Sequence, residues 1–120
     1  MNRVLVVDDE AGIAELLVTV LEDDGLHAVA AGDGRDALAR LADERFDLVL
    51  TDTTMPVMDG PSLARAMRDD GHLRDVPVVA FSAMPEATVG PCYPGYAAFV
   101  AKPFRVLEVL DLVNRLLGRS

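Results

Sequence analysis

Residues 48–60 read LVLTDTTMPVMDG, and they place an acid, Asp52, at the point where a buried strand is predicted to end. The apolar run at 48–50 predicts the strand, and Pro56 and Gly60 predict a loop directly after it. Loops held by a rigid strand are where binding and catalytic residues concentrate. Asp52 is therefore the first candidate for a functional side chain, and the rest of the chain is interpreted around it.

The composition is that of one globular domain, which we expect to span residues 1–120. The chain has 120 residues, of which 51% are apolar and 26% are charged, and this balance is typical of water-soluble domains. The N-terminus becomes acidic too early for a signal peptide, and no apolar run approaches the ~18 residues of a membrane span. These features predict a cytoplasmic protein.

Charge and cysteine content exclude several classes of function. The net charge is −9 at pH 7, which disfavours nonspecific binding to nucleic acid or to anionic membranes because like charges repel. Cys92 is the only cysteine, so an internal disulfide is excluded, and with only His27 and His72 beside it no zinc cluster is predicted. Cations and basic protein surfaces are the expected partners.

Apolar runs and helical periodicities alternate five times along the chain. Asp33 is predicted to cap the second helix, Gly25 to close the first, and Pro77 to mark the start of the fourth strand. The predicted strands cover residues 4–7, 28–31, 48–51, 76–81 and 99–101, and the inner faces of four helices lie within residues 13–21, 37–42, 63–67 and 106–117. The helix around 63–67 is predicted to run from about Ser62 to Asp70.

This alternation predicts an α/β fold with a doubly wound, five-stranded parallel sheet and helices on both faces, because crossover connections are right-handed. Ligands bind to such sheets beyond the carboxyl ends of the strands. Those ends are occupied by Asp8 and Asp9, by Asp52, by Ser82 and by Lys102. These five side chains form the candidate site.

The region between the fourth and fifth strands departs from the regular alternation. Residues 83–98 contain three prolines and two glycines, which disfavour a continuous helix. We therefore predict that helix 4 is shortened or irregular, with at most two helical turns within residues 86–95.

The chemistry of the candidate site favours phosphoryl transfer. Asp8, Asp9 and Asp52 would repel one another unless a cation lay among them, and carboxylate ligands favour Mg²⁺ or Ca²⁺. A carboxylate can attack a phosphoryl group to form an aspartyl phosphate, so Asp52 is the candidate nucleophile. Ser82 could donate a hydrogen bond to one phosphoryl oxygen. Lys102, the only lysine beside ten arginines, could pair with another.

The motifs at these positions resemble those of the response-regulator receiver domains of two-component signalling. The resemblance spans essentially the whole chain, and the set of motifs is highly specific. It rests on VDDE at 7–10, on Asp52 followed by Met-Pro at 55–56 and Met-Asp-Gly at 58–60, on Ser-Ala at 82–83, and on Lys-Pro-Phe at 102–104. The resemblance implies a flavodoxin-like sheet with strand order 2-1-3-4-5.

The resemblance also implies roles for individual residues. Asp52 would accept the phosphoryl group, and Mg²⁺ would be held by Asp9, Asp52 and the Thr54 carbonyl, with Asp8 assisting through a second shell or a water. Ser82 and Phe99 would act as switch residues that alter the surface formed by helix 4, strand 5 and helix 5. The Lys102–Pro103 peptide bond would be cis.

The partners implied by the resemblance are a sensor histidine kinase or a histidine phosphotransfer protein as donor, and a downstream protein as target. The domain would catalyse only its own phosphorylation and dephosphorylation, and would not be an enzyme acting on other substrates. No nucleic-acid-binding or membrane-binding element is predicted in this chain.

Three alternative functions fit the sequence less well. A haloacid dehalogenase-type enzyme would need a second Asp two residues after the nucleophile, where this chain has Thr54. A flavodoxin-like electron carrier would need a phosphate-binding loop after strand one, where acids at 8–10 would repel the flavin phosphate. The third alternative, a receiver-like interaction module that no longer cycles phosphate, is disfavoured by the retention of Asp9, Asp52, Ser82 and Lys102.

Overall fold

Five strands alternate with five α-helices along residues 2–119, which are the residues that the computed structural model describes. The strands are β1 (Arg3–Val7), β2 (His27–Ala31), β3 (Leu48–Asp52), β4 (Val78–Ser82) and β5 (Ala98–Ala101), and the helices are α1 (Ala11–Asp23), α2 (Gly34–Asp43), α3 (Gly60–Asp69), α4 (Glu86–Val89) and α5 (Val106–Leu116). None of these helices is long and apolar enough to cross a membrane.

The strands form one parallel sheet with the order β2-β1-β3-β4-β5, which confirms the predicted topology. The register brings the strand ends to a common edge. Val7 pairs with Thr51, Asp52 pairs with Phe81, and Ser82 pairs with Ala101. The residues at or directly after these ends therefore lie side by side, as ligand-binding residues do in doubly wound sheets.

The continuous apolar strands supply two separate cores, one on each face of the sheet. Side chains alternate between faces along a strand, so Leu5 and Val7 pack on the face covered by α2 and α3, while Val4 and Val6 pack on the face covered by α1 and α5. Burial on both faces is typical of parallel sheets, and it fixes the strand ends on a rigid base.

The helix ends follow the predicted local rules, with two shifts in boundary. The side chain of Asp33 caps α2, and Gly25, at a φ of 87°, ends α1. Beside it the Leu26 amide donates to the Leu21 carbonyl at 3.1 Å, as in a Schellman motif. Helix α3 begins at Gly60 rather than near Ser62, because the Asp59 carboxylate caps it by accepting from the Ser62 amide. The strand β4 begins at Val78, two residues later than predicted.

The region around α4 is short and irregular, which confirms the prediction for this segment. The α-helix has four residues, Glu86–Val89, and a three-residue 3-10 turn, Gly90–Cys92, follows it. Within residues 83–97, which we call the α4 segment, Val89 and Tyr93 are buried and most other side chains are exposed. The segment therefore presents a surface that differs from a regular helix.

Candidate functional site

Three carboxylates meet at the carboxyl edge of the sheet. Asp8 and Asp9 directly follow β1, and Asp52 is the last residue of β3. One carboxylate oxygen from each of the three lies within 4.8 Å of the others. Asp8 and Asp52 are buried, with 4% and 9% of their surface exposed, whereas Asp9 is exposed. The site thus has two fixed acids in the sheet and one acid open to solvent.

Lys102 follows β5 and supplies the positive charge of the site. Its ammonium nitrogen lies 3.0 Å from Oδ1 of Asp52 and 3.8 Å from Oδ2 of Asp8. Partial burial lowers the pKa of Lys102, but the hydrogen bond to Asp52 and the charges of Asp52, Asp8 and Glu10 outweigh it, so the pKa is raised above its usual value. Lys102 therefore remains charged at neutral pH. The Lys102–Pro103 peptide bond is cis, as expected.

Asp8 is held in place but is electrostatically costly when ionised. Its Oδ1 accepts a hydrogen bond from the Glu10 amide at 2.9 Å. Burial is the main cause that raises the pKa of Asp8, and the charge of Asp52 raises it further, while the Glu10 amide and Lys102 act in the opposite direction. The cluster of like charges is only partly neutralised by the single lysine.

The hydrogen bonds to Asp52 converge on one of its two oxygens. Oδ1 accepts from the Thr53 amide at 2.9 Å and from Lys102. In the described part of the chain no protein hydrogen bond reaches Oδ2. The carboxylate is therefore oriented by one oxygen while the other is available for reaction or for a metal ion.

Ser82 ends β4 next to this carboxylate. It is buried, with 3% of its surface exposed, and its hydroxyl oxygen accepts a hydrogen bond from the Met84 amide at 2.9 Å. The hydroxyl proton is not used in that bond, so it can be donated to an incoming oxygen. The Ser82 carbonyl accepts from the Lys102 amide at 2.9 Å, which ties the ends of β4 and β5 together.

The two other predicted site residues, Thr54 and Phe99, lie in the loop after β3 and in β5. Thr54 is exposed in the loop that follows Asp52, and the role of its carbonyl as a metal ligand stays a prediction. Phe99 is half-buried in β5, where it pairs with Ala80 and packs against the core under α2 and α3. Its predicted role as a switch residue also stays a prediction.

The sequence did not predict a contact between two polar side chains, Thr53 and Tyr93, next to Asp52. The Thr53 hydroxyl lies 2.7 Å from the Phe81 carbonyl and 3.0 Å from the Tyr93 hydroxyl. Tyr93 is 3% exposed, and burial raises the pKa of its phenol well above the usual value. Nothing in the sequence pattern singles out Tyr93, because it lies in a proline- and glycine-rich stretch without periodicity. Its contact with Thr53 depends on how that stretch folds.

The donor set fits a hard divalent cation. The described residues place three carboxylates within reach of a single point, with one ammonium group to offset their charge, and carboxylate oxygens are the protein ligands that Mg²⁺ prefers. The same edge holds the buried carboxylate of Asp52, the buried hydroxyl of Ser82 and the ammonium group of Lys102. Such a set can stabilise the oxygens of a transferring phosphoryl group.

Comparisons with known proteins agree on one family. The family model for the response regulator receiver domain matches residues 4–114. The DNA-binding response regulator MtrA of Mycobacterium tuberculosis is 36% identical over 119 residues, and the chain spans about half of its length, 52%. The response regulator receiver protein CpdR of Brucella abortus is 33% identical over 121 residues, with 98% of each chain covered.

Solved structures show the same architecture. The response regulator TrrA of Thermotoga maritima, crystallised in complex with Mg²⁺ and BeF, superposes with a TM-score of 0.85. The two chains are 30% identical, and the match covers 97% of this chain and 99% of TrrA.

Proposed function

Because the chain belongs to the response regulator receiver domain family of two-component systems, we propose that Asp52 is its phosphoacceptor and that Ser82 and Lys102 assist the transfer. The observation that carries this assignment is the contact between Lys102 and Asp52, 3.0 Å, at the edge of the sheet where three carboxylates meet. The alternative of an interaction module without phosphate chemistry finds no support in this arrangement.

The proposed reaction begins with an oxygen of Asp52 attacking the phosphorus of a phosphohistidine. Oδ1 is held by the Thr53 amide and by Lys102, so Oδ2 is the oxygen left to attack. An O–P bond forms, the N–P bond breaks, and its electron pair returns to the histidine nitrogen, which takes up a proton. The product is an aspartyl phosphate, a mixed anhydride that water can later hydrolyse.

Two side chains of this chain stabilise the transferred group. The Lys102 ammonium exchanges part of its contact with Asp52 for a phosphoryl oxygen, and Ser82 donates its free hydroxyl proton to another. Both groups stand on strand ends that the sheet holds rigidly, so little reorganisation is needed during transfer. Lys102 and Ser82 thus bind and orient the phosphoryl group while the Asp52 carboxylate reacts.

The acidic cluster fits Mg²⁺, which would be held by Asp9, Asp52 and the Thr54 carbonyl, with Asp8 assisting through a second shell or a water. When bound, the ion neutralises charge on the phosphoryl oxygens. The donor would be a sensor histidine kinase or a histidine phosphotransfer protein in the cytoplasm. The output would be a change in a protein-binding surface, with Ser82 and Phe99 as the switch pair.

The test is incubation with acetyl phosphate and Mg²⁺, followed by intact-protein mass spectrometry. The wild type should gain the mass of one phosphoryl group, Asp52→Asn should gain none, and the matched control Asp111→Asn, at an exposed position on α5, should behave as wild type. An unmodified wild type, or an equal gain in the Asp52 variant, would refute the assignment.

A further inference from the structure

The α4 segment sends one polar side chain into the interior, where it contacts the residue that follows Asp52. Tyr93 is 3% exposed, although its neighbours Cys92 and Gly95 are exposed. Arg65 of α3 donates to the Cys92 carbonyl at 3.3 Å and helps to hold the backbone there. The phenol extends as far as Gly60, where an added Cβ would collide with the Tyr93 hydroxyl.

The hydrogen bonds of this hydroxyl have a defined direction. The Thr53 hydroxyl lies 2.7 Å from the Phe81 carbonyl, and a carbonyl can only accept, so Thr53 donates its single proton to Phe81. The bond of 3.0 Å between Thr53 and Tyr93 must then be donated by Tyr93. A relay therefore runs from the Tyr93 hydroxyl to the Thr53 hydroxyl and on to the Phe81 carbonyl.

The middle of the relay, Thr53, and its acceptor end, Phe81, adjoin the residues proposed for the chemistry. Thr53 follows Asp52, and its amide donates to the Asp52 carboxylate at 2.9 Å. Phe81 pairs with Asp52 across the sheet, and its carbonyl belongs to the peptide that leads into Ser82. The two hydroxyls thus connect the end of β3 to the end of β4.

From this geometry we propose that Tyr93 is a positioning residue for phosphoryl transfer at Asp52. The inference rests on the proposed function of Asp52. Without the phenol hydroxyl, Thr53 loses the donor that holds its own hydroxyl on Phe81, and the Asp52 carboxylate and the Ser82 hydroxyl spend less time in the reactive arrangement. Tyr93 touches no reacting atom, and it acts through Thr53.

The experiment compares rate constants for phosphorylation by acetyl phosphate at saturating Mg²⁺, on protein verified as folded by circular dichroism. Loss of one neutral hydrogen bond should slow Tyr93→Phe by roughly three- to tenfold. Tyr96→Phe is the matched control, because its hydroxyl lies in the same segment but donates to Glu86 at the surface, at 2.6 Å. That variant should keep the wild-type rate.

Changes at Thr53 test the relay at its middle member. Thr53→Val removes the hydroxyl and should slow phosphorylation at least as much as Tyr93→Phe, whereas Thr53→Ser keeps a hydroxyl and should recover most of the rate. The double variant Tyr93→Phe with Thr53→Val should be no slower than the slower single variant, because both changes break the same connection. A residue that serves only stability would not give this pattern in a fully folded protein.

The outcomes separate the two proposals. Tyr93→Phe reacting as fast as Tyr96→Phe, in a protein whose wild type is phosphorylated, overturns the role of Tyr93 and leaves that of Asp52 intact. Rate losses that multiply in the double variant also overturn the relay. A wild type that takes up no phosphoryl group overturns the assignment of Asp52 as phosphoacceptor. The proposed role of Tyr93 in that reaction is then overturned as well.

Discussion

Replacing Asp8 by Asn should stabilise the metal-free protein and should make it respond less to Mg²⁺. Asp8 is buried, and its pKa is raised chiefly by burial and then by the charge of Asp52. The folded state therefore holds a proton on Asp8 more tightly than the unfolded chain does. Asparagine has the same shape, stays neutral, and retains an oxygen that can accept from the Glu10 amide.

The magnitude follows from the distances in the site. With an effective dielectric constant of about 20, the Asp8–Asp52 repulsion within 4.8 Å is about 3.5 kcal/mol, and the attraction of Asp8 to Lys102 at 3.8 Å is about 4.4 kcal/mol. These nearly cancel, so the several kcal/mol that it costs to bury an ion decide the sign. We expect Asp8→Asn to raise the free energy of unfolding by about 1 to 2 kcal/mol in EDTA at neutral pH.

The pH dependence has a fixed sign. A carboxyl group whose folded-state pKa is raised costs stability when it is ionised, and that cost is absent when it is protonated in both states. The advantage of Asp8→Asn should thus be complete at pH values above the folded-state pKa and should disappear below the ordinary value of 3.8. Urea denaturation followed by circular dichroism across this range measures the effect.

Mg²⁺ should reduce the stability advantage of Asp8→Asn over the wild type, and Asp9→Asn is the matched control. At a hundredfold excess over its Kd, a bound ion adds about 2.7 kcal/mol to the wild type, while both variants lack a carboxylate of the cluster and gain less. Because Asp9 is exposed, its replacement should change stability in EDTA by less than about 1 kcal/mol. Lower stability of Asp8→Asn in EDTA, or an advantage undiminished by Mg²⁺, would refute the electrostatic argument.

Two further predictions concern the loop after Asp52 and the tyrosines. Val57 has a φ of 67° and is 73% exposed, and the Met58 amide donates to the Pro56 carbonyl across it at 2.7 Å. Since a β-branched residue is strained there and buries little, Val57→Gly should raise the free energy of unfolding by about 1 kcal/mol in urea titrations; a loss of stability would contradict this. In Tyr96→Phe, Tyr93 is the only tyrosine left, and it should ionise only as the protein unfolds. Burial raises the pKa of Tyr93 in the folded state, so the folded protein keeps its full stability below pH 10.0, the ordinary pKa, and loses stability as the pH rises further. Tyrosinate absorbance that appears while the circular dichroism is still native would contradict this.

The sheet and the positions of the strand ends were predictable from local pattern. The predicted strands at 4–7 and 48–51 are apolar except for Thr51, and the residue directly after each strand is an acid, so the edge of the sheet that carries Asp8 and Asp52 follows from topology alone. The distances within the edge were not predictable. That Lys102 lies closer to Asp52 than to Asp8 depends on the turn after β5, which hydrophobic periodicity does not determine.

The predicted start of α3 was wrong because a capping side chain, and not the periodic apolar pattern, determines where this helix begins. Helix α3 starts at Gly60 because the Asp59 carboxylate satisfies the Ser62 amide, whereas the apolar face of that helix begins later, at Leu63. The absence of a side chain at Gly60 is also required, because a Cβ there would collide with the Asp52 carbonyl and with Tyr93. The closeness of Gly60 to Asp52 and to Tyr93 cannot be predicted from the sequence of the helix alone.

The short α4 and the burial of Tyr93 are one structural feature. A regular helix through residues 86–95 would keep the chain on the surface, but here the helix ends after Val89 and a 3-10 turn redirects the backbone. Glycine is required at position 90, because an added Cβ would lie only 2.9 Å from the Tyr96 hydroxyl. Glycine also suits position 95, where the φ of 59° is one that other residues rarely adopt. The glycines that shorten the helix thus also permit the turn that brings Tyr93 to Thr53. Because the helix breaks after Val89, the Tyr93 hydroxyl connects the exposed α4 segment to Thr53, next to Asp52. Phe99 in β5 has no hydroxyl and cannot make such a hydrogen bond.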